Sequence, residues 1–248
     1  MTIVQDGPPK PVKESEPLIV GPESARRLIV VVIGWFLLAE AVLFPIGFVH
    51  GLTKRASPPT LSHLLFTVRA FGLDIVLLYA VSIRGRIVGG GDRRLGLGVA
   101  PIARLPIIIG LSSVVVLYVA LLDFAVYKYR PDLFFQSSSI PLWLTLFDSL
   151  VLIVLAPLAE ELFFVAGYGR DYGSTGARCR RGLTAIMWLL PHLLRGVGYV
   201  ALLLFPALIL TVARQVGKSV RATIFIHAIY NLTVNFPLIV QFLKLFQN

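Results

Sequence analysis

LPIIIGLSSVVVLYVALL, residues 105–122, is a run of eighteen residues without a single charge. As a helix rising 1.5 Å per residue it would extend about 27 Å, close to the ~30 Å hydrocarbon thickness of a bilayer. Comparable apolar runs occupy Leu28–Val49, Leu64–Ile83, Ile140–Leu158, Leu183–Leu194, Val197–Val212 and Ala222–Leu243. In lipid the backbone has no partner but itself, so each run is expected to be a helix. The sequence therefore predicts an all-α fold, a polytopic transmembrane bundle of seven to eight helices. The short fifth run suits a buried or broken helix. Composition agrees: of 248 residues 56% are hydrophobic and the mean hydropathy is +0.82, against about 45–50% apolar for soluble domains.

Residues 1–26 differ, with Pro8, Pro9, Pro11 and Pro17 set among Lys10, Lys13, Glu14, Glu16 and Glu23. Such a segment has too little apolar surface to fold alone and reads as a flexible cytoplasmic tail. Residues 27–248 read as one membrane domain. No short apolar segment with a small-residue cleavage site precedes Arg26-Arg27, so the first run is expected to stay in the protein. The lone Cys179 rules out a disulfide framework.

The net charge of +10 fits membrane orientation and anionic lipid better than nucleic acid, which is not expected as a partner. Placing the N-terminus inside assigns sixteen Lys and Arg to cytoplasmic segments and six to outer ones, with Arg69 inside a span. Basic residues accumulate on the cytoplasmic side, so the tail and the loop Arg170–Arg181 are expected there. The protein is expected to be integral and multi-pass, in the plasma (inner) membrane if the source is prokaryotic.

Ionisable groups inside spans are costly and are functional candidates by default. Here they are Glu40, Arg69, Asp74, Asp148, Glu160, Glu161, His192 and His227, with Asn231 and Asn235 as amides. Glu40, Arg69, Asp74 and Asp148 read as ties between helices, Arg69 and Asp74 neutralising each other or a neighbour. The rest converge in depth: Glu160, His192 and Asn231 each lie about 15 Å of helix from the cytoplasmic edge, and His227 about 9 Å. His227 and Asn231 are four apart and share a helix face, as do Trp188 and His192. A carboxylate pair, two imidazoles and an amide in a sheltered site can perform hydrolysis. One carboxylate takes a proton from water while donors hold the developing oxyanion.

Glu160-Glu161-Leu162-Phe163-Phe164, Trp188-Leu189-Leu190-Pro191-His192 and His227-Ala228-Ile229-Tyr230-Asn231 resemble the motifs EExxxR, FxxxH and HxxxN of the CAAX prenyl proteases and bacteriocin-processing or self-immunity proteins, the CPBP or Abi family. The resemblance covers about residues 140–240. It implies a glutamate-dependent intramembrane endopeptidase on a bundle of about eight helices. Glu160 with His192 would activate water, Glu161 would support Glu160, and His227 with Asn231 would form the oxyanion hole. It also implies a membrane-tethered or lipidated peptide or protein as substrate, with membrane lipid as surroundings. The family was long labelled metalloprotease, and Glu160, His192 and His227 offer a two-histidine, one-carboxylate zinc set. No HExxH is present, and the reading favours no cofactor over zinc.

Two positions depart from the motifs. Trp188 replaces Phe, a mild change by size and aromaticity, and Val165 replaces the Arg. Without that Arg, Glu161 needs another cation, such as Arg170 or Arg195, or must stay protonated. Pro191 breaks the helix ladder beside His192 and either re-aims the imidazole or bends the span. The lost Arg favours an alternative, an inactive scaffold or bacteriocin-immunity protein of the same fold. A small transporter is a third class, disfavoured because no inverted repeat is evident.

Overall fold

The structure, a computed structural model, describes residues 22–53, 59–88, 100–129, 140–166, 182 and 184–245. The tail 1–21, the Gly89–Gly91 turn, and the loop with Arg170 and Cys179 lie outside the described residues. Each apolar run falls in a helix, and there is no strand among the described residues. We number the helices α1 (Pro22–Thr53), α2 (Pro59–Val88), α3 (Leu105–Tyr129, entered by a 3₁₀ turn at Ile102–Arg104), α4 (142–166), α5 (184–195), α6 (Val197–Gly217) and α7 (Val220–Leu245). α1 begins at Pro22, inside the stretch expected to be tail. Proline there fits a first helical position, where its missing N–H has no partner to lose.

Among the described residues four stretches are long and apolar enough to cross a membrane: Thr60–Ile83, Ile102–Ala125, Leu142–Phe164 and Val197–Gly217. The apolar parts of α1 and α5, Ile33–Val49 and Thr184–Leu193, are shorter, and α7 interrupts its apolar sequence with His227, Asn231 and Asn235. The exterior is oily, with Leu117, Phe124, Leu204, Leu208 and Phe225 all more than half exposed. A folded soluble protein seldom leaves so much apolar surface open, whereas lipid accepts it without cost.

α4 is the central helix, packed against α2 and α7, while α1 leans on α2 and α3 packs on α6 and α7. Leu77, Val115, Ala159, Phe163, Leu203, Leu210, Ala213 and Ile226 form the core between them. Between helices, polar ties replace the hydrophobic drive that lipid removes. Thr67 donates to Asp148 at 2.8 Å and His63 lies 3.5 Å from the same carboxylate, so Asp148 joins α4 to α2 as expected. Arg69 pairs with Glu40 at 2.5 Å and joins α2 to α1. Tyr118 reaches the Leu202 carbonyl at 2.7 Å, and Arg104 that of Val216 at 2.9 Å.

α4 is not regular. It changes from α to π over Val151–Leu155, returns to α over Ala156–Glu160, and is π again over Glu161–Ala166. π segments are uncommon and concentrate at functional positions. α5 likewise tightens from α to 3₁₀ at Leu190–Arg195, where Pro191 removes a backbone donor. Gly196 then turns the chain into α6 at φ +106°, a conformation that a side chain would strain.

Candidate active site

Adjacent residues on a helix point about 100° apart, so Glu160 and Glu161 are anchored from different helices. Glu160 looks toward α5, where the Trp188 indole N–H donates to its Oε2. Glu161 is fully buried and looks toward α6. Arg214 grips it there as a fork, with Nη2 at 2.9 and 3.1 Å from the two carboxylate oxygens and Nε at 3.3 Å. A planar guanidinium fits a carboxylate in this two-pronged way, where an ammonium would not.

Neither Arg170 nor Arg195 is therefore needed, because Arg214 supplies the cation that Val165 lacks. Arg214, one of the sixteen basic residues that the sequence assigns to the cytoplasmic side, is turned to Glu161 instead. It sits four residues before Lys218, near the end of α6, but its side chain is only 7% exposed and turns inward.

His227, from α7, stands between the two glutamates. Its Nδ1 is 3.2 Å from Glu161 Oε1 and its Nε2 is 3.9 Å from Glu160 Oε2. Its ring meets Trp188 edge-on at 5.7 Å. His192 follows Trp188 by one helical turn: its Nδ1 lies 2.9 Å from the Trp188 carbonyl, and the two rings are 4.9 Å apart. The imidazole that the structure sets against both glutamates is thus His227, while His192 lines the cavity beside them.

Asn231 is placed by the irregularity of α4. In the π turn the Ala156 N–H bonds the Val151 carbonyl, five residues back. The next carbonyl, Leu152, would need the N–H of residue 157, which is proline. The Asn231 amide fills the gap, donating to Leu152 at 2.6 Å. A side-chain amide has two N–H donors, so one remains for the cavity.

Glu160, His192, His227 and Asn231 all line one cavity of about 170 Å³ within the bundle. Glu161 supports it from behind. Tyr199 and Tyr230 also face it, and on the α1–α2 side so do Glu40, Arg69 and Asp74. The sequence reads Asp74 as a helix tie, and the structure corrects this. Arg69 gives its guanidinium to Glu40, and Asp74 Oδ2 is buried without a hydrogen-bond partner. Among the described residues no three of His, Cys, Asp and Glu group as metal ligands, so Glu160, His192 and His227 are not gathered in that way.

Two contributors escaped sequence reading. Trp188 is not a mild substitute for Phe, since its indole N–H makes a bond that Phe cannot. Arg214 was hidden by lying fifty-three residues from its partner.

A membrane-type helix bundle enclosing carboxylates, imidazoles and an amide in one cavity defines a protein built for polar chemistry within an apolar surround. Residues 141–233 match the family model described as type II CAAX prenyl endopeptidase, Rce1-like. The match runs from the start of α4 into α7 and contains every residue of the three motifs, so it bears out the resemblance over that segment. No curated protein and no solved structure matches the chain.

Proposed function

We propose that the protein is an intramembrane endopeptidase using Glu160 as its base. The observation that carries this reading is the anchoring of both glutamates, Glu160 by the Trp188 indole and Glu161 by Arg214, at a cavity shared with His192, His227 and Asn231. Trp188 and His227 occupy the side of Glu160 Oε2, which leaves Oε1 to take a proton from water. His192, on the same cavity, helps orient that water. Attack on the scissile carbonyl develops an oxyanion, for which the second Asn231 N–H is one donor and the Nε2–H of His227, in its doubly protonated form, the other. The Glu161 carboxylate, fixed by Arg214, holds His227 by Nδ1 and so keeps Nε2 toward the cavity.

The substrate in this proposal is a membrane-tethered or lipidated peptide, because the oily exterior and the interior position of the cavity favour a chain delivered through the bilayer. The reaction needs no metal: the donor set pairs Glu160 with an indole N–H and His227 with carboxylates, and an Asn amide is a poor zinc ligand. The Arg214 pair also removes the reason for preferring an inactive scaffold, which was the lost motif Arg.

The test is cleavage of lipidated and membrane-tethered peptides by purified protein in liposomes, wild type against Glu160→Gln, with and without a chelator. Product from the wild type alone, unaffected by chelator, is expected. Equal cleavage by Glu160→Gln would remove the proposed base, and loss of activity on chelation that zinc restores would replace the mechanism.

A further inference from the structure

Asp74 is the carboxyl that the proposed mechanism leaves unused. It comes from α2, outside the segment that carries the three motifs, yet it lines the same cavity as Glu160. The residue is 3% exposed, and its Oδ2 has no hydrogen-bond partner. The cation nearest in sequence on α2, Arg69, is engaged by Glu40. Its neighbours on the cavity wall include Ala70, Leu73 and Leu77. An anion without donors in such surroundings is expensive, and the neutral acid is the form the site can hold cheaply.

Peptide hydrolysis requires such an acid. When water adds to the carbonyl, its proton goes to Glu160 and a C–O bond forms. The C–N bond can then break only if the nitrogen receives a proton, because an amide anion is too basic to leave.

Resting on the hydrolase reading above, we propose that Asp74 is the catalytic acid that protonates the departing nitrogen of the substrate. Its carboxyl proton passes to nitrogen as the C–N bond breaks, giving an amine and an acid. The proton held by Glu160 then returns through cavity water to the Asp74 carboxylate, restoring both groups with no other reactant consumed. Two carboxyls in unlike surroundings, one given an N–H donor and one given none, divide base and acid roles between them.

The experiment compares a membrane-tethered peptide with its ester analogue at the scissile bond, using wild type, Asp74→Asn and Asp74→Glu in liposomes. An alkoxide leaves far more readily than an amide anion, so the ester has little need of the acid. Asp74→Asn is expected to slow amide cleavage on the order of a hundredfold and ester cleavage by less than about tenfold. Asp74→Glu restores part of the amide rate. Equal losses on both substrates, or none on either, would overturn the assignment and leave Asp74 a packing residue. If wild type and Glu160→Gln are alike on both substrates, the hydrolase reading itself fails and this inference falls with it. The melting temperature of each variant in detergent shows whether it folds, and a misfolded Asp74→Asn shifts the comparison to Asp74→Ser.

Discussion

Arg214 and Glu161 exclude water from each other almost completely, with side chains 7% and 0% exposed. Such a pair is costly to break from one side, because the abandoned charge keeps its desolvation penalty. Arg214→Leu is expected to destabilise the protein by about 3–5 kcal/mol and to lose cleavage. Removing both charges, as Glu161→Leu with Arg214→Leu, should recover much of the melting temperature but none of the activity, since His227 would lose its holder. A double variant as unstable as the single one would show that the pair does not act alone. Asn231→Ala takes away a proposed oxyanion donor and should slow cleavage about a hundredfold or more, measured as kcat/KM. An unchanged rate would end that role. The glutamates, histidines and Asn231 were legible in the sequence because helical spacing and depth are arithmetic. Arg214 and the indole bond of Trp188 were not, because which residue fills a buried carboxylate's needs depends on which helices meet.

At the scale of the element, α4 departs from regularity where Pro157 withholds an N–H and Asn231 makes good the loss. Pro157→Ala restores the donor. The proline ring in a helix interior costs about 3 kcal/mol, so this variant should melt no lower than the wild type. Its Leu152 carbonyl would no longer need Asn231, and cleavage should drop while stability holds. Falling stability with unchanged cleavage would contradict this account of the π turn. The existence of each helix was readable from its apolar run, and the short fifth run did prove to be a short helix broken at Pro191. The first π segment was only half readable, because Pro157 stands in the sequence but the Asn231 bond that answers it comes from another helix, and the second has no sequence signal.

For the whole molecule, moving Arg214 from the loops to the interior leaves fifteen cytoplasmic basic residues against six outer ones. On that ratio Cys179 is expected on the cytoplasmic side. An impermeant thiol reagent added to intact cells should leave it unlabelled until the membrane is opened, and labelling before that would invert the topology. The Arg214–Glu161 pair bears also on how the protein is made. Synthesis proceeds from the N-terminus, so Glu161 enters the membrane fifty-three residues ahead of its cation. Until α6 arrives, α4 presents an unneutralised carboxylate to lipid or to the insertion machinery. A nascent chain arrested before residue 214 therefore carries a built-in sign of incompleteness, and the membrane environment itself can distinguish the unfinished protein from the finished one.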